Sequence, residues 1–431
     1  MTRKPLITFF AVISAAALIM MTSCGLVDKI RGDIFEGVKF DDDTNYTEVK
    51  KSESVNSAYY TANEKITFGY DNLLTDSQRS CYSSIESAVY RISDTKDENG
   101  FYPVGKVTIE DKSFTEKDMD ISIKAYTMDH PEAFWLTNRY SYGSMGDRAI
   151  IQMYSYVNAA ECENRINTLN EAVNDIMTKI PEGLTQYHLE KYIHNTVIDN
   201  CSYAAGVESA DDGWEEFTVY GALINSRAVC EGYAHSMCML LNKVGIDCYY
   251  ANGYGENNPH MWNVVKIDDR WYHLDATWDD NENAYFNFFN LNDSQIQKDH
   301  IISPLLGEIK DNEALDDVYN LFLPECSSDN ANYFVVESTY IVDFEESREI
   351  MVHDLIAAAE NKDDKFTIMI DPSMDFDTSL DELFNEEPYY MFDYITRANE
   401  SLDSNHTIND RNVSIIILEN FNSVVVKLEY K

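Results

Sequence analysis

Basic residues are scarce. The chain of 431 residues sets 33 lysines and arginines against 75 aspartates and glutamates, a formal charge of −42. A phosphate backbone would be repelled by such a body, so nucleic acid is excluded as a partner. The eight cysteines fall nowhere in CxxC or CxxH spacing, which removes the usual frame of a structural zinc site. Phosphate loop, dinucleotide fingerprint, HExxH motif and solenoid-period repeat are all missing. Neither a metal nor an organic cofactor is therefore expected. The apolar run from Leu6 to Met21 is too short to cross a bilayer comfortably.

Hydrophobic residues at 44% and aromatic residues at 13% suffice for real cores, and the length implies two or three domains. Arg3 and Lys4, the apolar run, and small residues before Cys24 have the layout of a bacterial lipoprotein signal. Residues 1–23 are accordingly read as a signal peptide, with Cys24 as the lipidated residue and the lipid as the attachment to the membrane. The polar stretch 24–66, with little periodicity, reads as a flexible tether. An accessory α+β domain follows over 67–178. Thr75 and Gln78 form a capping-box pattern ahead of a helix facing inward through Tyr82, Ile85, Val89 and Ile92. Ile150 to Tyr156 reads as a strand, and Ile166, Leu169, Val173, Ile176 and Ile180 mark a long helix. His130, in the aromatic segment DHPEAFWL, is assigned no chemistry.

The chemistry concentrates between Ser226 and Asp280. In SRAVCEGYAHSMCMLLNKVGI, apolar residues recur at helical spacing from Tyr233 to Val244, and Gly245 supplies a stop. Cys230 therefore begins a helix, where unpaired N–H groups and the positive dipole end favour a thiolate and could hold an oxyanion. Cys238, on the same helix, reads as core. HMWNVVKIDDRWYHLDATW reads as two strands joined by a two-residue turn at Asp268 and Asp269. That turn pairs Ile267 with Arg270, so Trp262 faces Asp275, and His260 and Asp275 become diagonal neighbours on one side of the sheet. Asp279 is an equally good diagonal by geometry alone. Asp275 is preferred because it lies within the apolar run, where a carboxylate needs a partner. Cys230, His260 and Asp275 thus have the types and order of a nucleophile, a general base and the group that orients the base.

CEGYA at Cys230, HMWNVV at His260 and WYHLDATWDD around Asp275 resemble the transglutaminase-like superfamily in its bacterial cell-envelope form. The resemblance runs from about Leu184 to His300 and takes in YGAL at Tyr220 and FNLNDSQIQKDH. It implies an α+β, papain-like fold for residues 179–305, with the cysteine on a helix packed against an antiparallel sheet, and it selects Asp275 over Asp279. Animal cross-linking members of the family place an aromatic oxyanion donor upstream of the cysteine. Tyr220, with Trp214 behind it, is the candidate here. Asp279, Asp280 and Glu282 cluster without the spacing or glycine of an EF-hand, and read as a solvated turn.

The helix spanning Leu189, Tyr192, Ile193, Thr196 and Val197 packs, by the resemblance, beside the cysteine helix, with His188 and His194 at its surface. Residues 306–431 read as a small α+β domain. Its expected strands lie at Tyr333–Val336, Phe366–Ile370, Val413–Leu418 and Val424–Leu428, and its helices at 346–360 and 388–398. The expectation is a lipid-anchored, cell-surface thiol enzyme that acts on amide bonds of peptide, protein or cell wall. The alternatives are a true protein cross-linker and a silent adhesion or scaffold lipoprotein.

Overall fold

A computed structural model describes residues 6–10, 44–50, 66–145, 147–280, 286–309, 318–410 and 412–431. Cys24 and Glu282 lie outside them. The chain divides into two compact units, one of Met21–Ser328 and one of Asp329–Lys431 joined by β1 (Leu6–Phe10).

In the larger unit, α1 (Asp76–Ala88) starts at the expected Thr75–Gln78 capping box. It packs against α2 (Glu116–Asp129), itself opened by a Thr115–Asp118 box. A small antiparallel sheet carries β2 (Leu136–Met145) and β3 (Arg148–Ser155), and α3 (Ala159–Lys179) follows. Next comes α4 (Gln186–Asn200), then α5 (Cys230–Lys243). A four-stranded sheet runs in the order β6, β5, β4, β7, with β4 at Cys248–Gly255, β5 at Asn258–Ile267, β6 at Arg270–Leu274 and β7 at His300–Ile302. All three pairings are antiparallel. The turn between β5 and β6 places Asp268 at φ 47° and Asp269 at φ 63°. Two left-handed residues in a row match the right-handed twist of a hairpin, so the ladder starts at Ile267–Arg270 as the spacing requires.

Helix α5 lies on this sheet because its inward side is mostly apolar, with the buried Ser236 hydroxyl donating back to the Gly232 carbonyl, and Asn263 reaches from β5 to the Ala234 and Tyr249 carbonyls at 3.0 and 3.2 Å. Gly232 permits the close approach of the helix start. A Cβ there would sit 2.7 Å from the Glu216 carbonyl oxygen and 2.8 Å from the Ala228 Cβ. The segment 318–328, expected in the C-terminal domain, belongs to this unit. Asn320 bonds the carbonyls of Asn252 and Ser303 at 3.0 and 2.7 Å, and Phe322 stacks on Phe68.

The second unit is a five-stranded sheet in the order β1, β10 (Asn412–Leu418), β11 (Ser423–Lys427), β9 (Lys365–Ile370), β8 (Thr339–Ile341). Helices α8 (Arg348–Asn361) and α9 (Tyr390–Ser401) cover it through Met351, Leu355, Tyr394 and Ile395. One expectation changes here. Tyr333–Glu337 is a helix, α7, because the Asn332 side chain caps the Phe334 N–H at 3.0 Å, and a four-residue apolar run does not by itself separate strand from helix. Leu6–Phe10, expected inside a signal's apolar stretch, pairs as a parallel strand with Asn412–Ile416.

Candidate active site

Cys230 is the first residue of α5 and is wholly buried. Val229 before it is extended, with φ −91° and ψ 177°, so the chain turns sharply into the helix at the sulfur. Cys81, Cys162, Cys201, Cys238, Cys248 and Cys326 are free and buried. Cys238 donates to the Cys248 carbonyl at 3.2 Å, inside the core.

His260 projects from β5. Its Nε2 lies 2.6 Å from Oδ2 of Asp275, which leaves Nδ1 as the ring nitrogen for a proton exchange. The hairpin alternation places the two together past the last ladder pair, Asn263–Leu274, with Asp275 one residue beyond it and His260 three residues beyond it on the other strand. Asp275 also caps the short helix α6 (Ala276–Asp279), its Oδ1 accepting the N–H groups of Thr277 and Trp278 at 3.0 and 3.2 Å. Burial alone would raise this carboxyl. His260 and His300 more than reverse that and hold it well below the usual carboxylate range.

His300 is a residue that the sequence reasoning missed. It arrives on β7, paired with Gly255 of β4, and its Nε2 donates to the same Oδ2 of Asp275 at 3.1 Å. Its ring is enclosed by Trp262, Trp278 and Phe288, with centroids at 4.9, 4.3 and 5.7 Å. Burial pushes its basicity down, so it stands neutral. The signal that could have found it is the quoted stretch FNLNDSQIQKDH, which ends on it. Both oxygens of Asp275 are therefore fully occupied by two imidazoles and two backbone N–H groups. His300→Gln keeps a donor but loses the aromatic enclosure; a fall of about tenfold in turnover, from a shifted Asp275, is expected, against about a hundredfold for His300→Ala. Steady-state assay of both variants checks the order.

The support continues beneath His260. Its ring lies nearly parallel to Trp262, 5.8 Å away. Trp262 Nε1 donates to Nδ1 of His273 at 3.0 Å, which leaves the His273 proton on Nε2, facing Asp293 at 2.9 Å. His260–Asp275–His300 and His273–Asp293–Cys326 both bring ligand-type atoms within 4.8 Å of one another. In each, those side chains are already joined to one another or to the backbone by hydrogen bonds.

Asp279 is committed elsewhere. Its Oδ1 accepts the Phe288 N–H at 3.0 Å and its Oδ2 faces His194 Nε2 at 3.3 Å. The expected surface position of His194 is thereby corrected. The ring is fully buried between Phe286 and Phe289, because α4 is enclosed on a second side by the chain after α6. Tyr220 packs against Phe134 and beneath the Arg165 guanidinium, at 5.1 and 5.0 Å, and Trp214 stacks on Tyr156 at 4.5 Å. The rings that touch His260 are Trp262, Trp278 and His300.

A helix that opens on a cysteine, packed on an antiparallel sheet that carries a histidine–aspartate pair, defines the class as a transglutaminase-like α+β core. Residues 175–276 match the model of the transglutaminase-like superfamily. No curated protein matches the chain. Among solved structures, one described as a TGase is 13% identical, covers 40% of this chain and 50% of that one, and has a TM-score of 0.25. A candidate cysteine protease from Cytophaga hutchinsonii is 13% identical over 32% of this chain and 61% of that one, at 0.21. A candidate protease from Parabacteroides distasonis is 11% identical over 32% and 35%, also at 0.21. The chain spans between 35% and 61% of these proteins' lengths, and likenesses this slight carry no argument about its activity.

Proposed function

We propose that the protein is a thiol acyl-transfer enzyme acting on amide bonds of peptide or protein, with Cys230 as nucleophile, His260 as general base and acid, and Asp275 as its orienting group. The observation that carries this reading is the His260–Asp275 contact of 2.6 Å on the sheet against which the Cys230 helix packs. Nδ1 of His260 takes the thiol proton as sulfur bonds to the carbonyl carbon. The oxyanion is met by N–H groups at the start of α5, and Tyr220 is the side-chain candidate for a further donor. Collapse of the tetrahedral species breaks the C–N bond, and His260 returns the proton to the leaving amine. Water or a second amine then takes the acyl group from sulfur; hydrolysis is the favoured branch, because the sequence has neither the spacing of an EF-hand calcium loop nor an unambiguous aromatic donor upstream of the cysteine. Amine incorporation into a glutamine peptide, with ammonia release, would reverse that preference.

The envelope location is part of the same proposal and rests on the signal-like N-terminus with Cys24. Among the described residues no helix is long and apolar enough to cross a membrane. Labelling with a fatty-acid analogue in a bacterial host, abolished by Cys24→Ser, is the expected result; unlabelled protein in the soluble fraction would contradict it.

A further inference from the structure

A cavity of about 210 Å³ lies beside the site, lined by the residues that directly follow its nucleophile and its base, Glu231 and Met261. Whole small-molecule ligands take pockets of roughly 300–1,000 Å³; this one is the size for a single side chain. Its walls are aromatic: Trp214 and Tyr156 stacked 4.5 Å apart, with Phe134 beyond. Its polar groups are unbalanced in sign. Lys124 keeps its charge, with Nζ on the Tyr319 carbonyl at 3.0 Å and over the Tyr319 ring at 3.6 Å, and it favours the ionised form of Glu231. His130 gives Nδ1 to Glu132 at 2.8 Å, and its Nε2 is buried with no hydrogen-bond partner. Burial pushes His235 down to about 4, so it is neutral. Asp120, which accepts from the Tyr140 hydroxyl, and Glu231 form the acidic lining, two carboxyls against one ammonium. Burial lifts Glu231 to about 7, and a bound cation would hold it ionised.

Aromatic faces around a carboxylate attract a cation at the end of an apolar stem. We propose that this cavity is the specificity pocket of the acyl donor and that it takes a long cationic side chain, lysine, arginine or another diamino acid, next to the carbonyl presented to Cys230. The inference rests on Cys230 being the nucleophile, and its test separates the two claims. Reduced full-length protein is given matched peptides that differ only in lysine, arginine, norleucine or glutamate at that position. The lysine and arginine peptides should exceed norleucine by at least tenfold in kcat/KM and glutamate by more. Glu231→Gln should cut the lysine-to-norleucine ratio to within threefold of unity, and Trp214→Leu should lower it too. Equal turnover of the four peptides, or an unchanged ratio in Glu231→Gln, overturns the pocket. If no peptide turns over, binding of lysine amide and norleucine amide to the Cys230→Ala protein decides, read by tryptophan fluorescence. Selective binding of lysine amide upholds the pocket while the enzymatic reading fails; equal or no binding overturns the pocket.

Discussion

Asp275→Asn lowers turnover by about four orders of magnitude, the scale on which the orienting carboxylate of a nucleophile–histidine–acid triad acts. The loss follows from how the carboxylate is used. Oδ2 accepts from the Nε2 atoms of His260 and His300, and Oδ1 from the N–H groups of Thr277 and Trp278. An asparagine must turn its NH2 toward one of these pairs of donors, so either the helix cap or the imidazole pair is opposed. With the amide against His260, the ring takes the other tautomer, and Nδ1 carries a proton when it should accept one. Asp279→Asn supplies the control. It disturbs the His194 pair and costs stability of a few kcal/mol, the usual scale for a broken buried pair, but turnover per folded molecule stays within about tenfold of the parent. Activity normalised to the folded fraction separates the two. A similar collapse in Asp279→Asn would make that residue the acid of the site.

Glu190 makes stability depend on pH in the opposite sense to a salt-bridged acid. Its carboxyl lies fully buried on α4, accepts from Asn290 at 2.8 Å, and is pushed up by burial from 4.5 to about 8. The folded protein holds this proton in a range where the unfolded chain has released it. Stability from this group is therefore full below the unfolded value and is lost as pH rises toward 8, by a few kcal/mol at about 1.4 per pKa unit. Glu190→Gln has no proton to lose. Asp129 and Glu231 are also lifted, to about 6 and 7, so the comparison is between proteins. Urea unfolding at pH 5 and pH 8 should show the wild type losing a few kcal/mol more than Glu190→Gln, and parallel losses would contradict the assignment.

The parts of the site that sequence makes legible are those set by neighbours in the chain. The helix at Cys230 follows from apolar spacing and the stop at Gly245, whose φ of 77° ends it. The His260–Asp275 contact follows from a two-residue turn and strict alternation, and needs no knowledge of the rest of the molecule. Preferring Asp275 over Asp279 took its place in the apolar run and the family resemblance, because spacing does not separate them and both carboxyls are buried; Asp279 faces α4 and His194. What was not legible came from afar. His300 reaches Asp275 only because β7 pairs with β4, 25 residues later in the chain. His194 looked exposed because periodicity reveals the stripe that faces the main core, whereas a second apolar wall, Phe286 and Phe289, closes over the other side. The aromatic segment after Pro131 looked like plain core, and Phe134 there lines the cavity beside Glu231.

The central claim is that Cys230 is an activated thiolate aligned with His260. The measurement that tests it most directly is the rate of alkylation of each cysteine by a small haloacetamide in reduced, folded protein, read by mass per peptide. Burial lifts the Cys201 thiol to about 11 and Cys81 to about 12, and drives Cys162 and Cys326 higher still. Cys230, at its helix start, should react at least a hundredfold faster than any of these at pH 7, and His260→Ala should remove most of that advantage. Labelling of Cys230 at the slow rate of the core cysteines, unchanged by His260→Ala, would contradict the account.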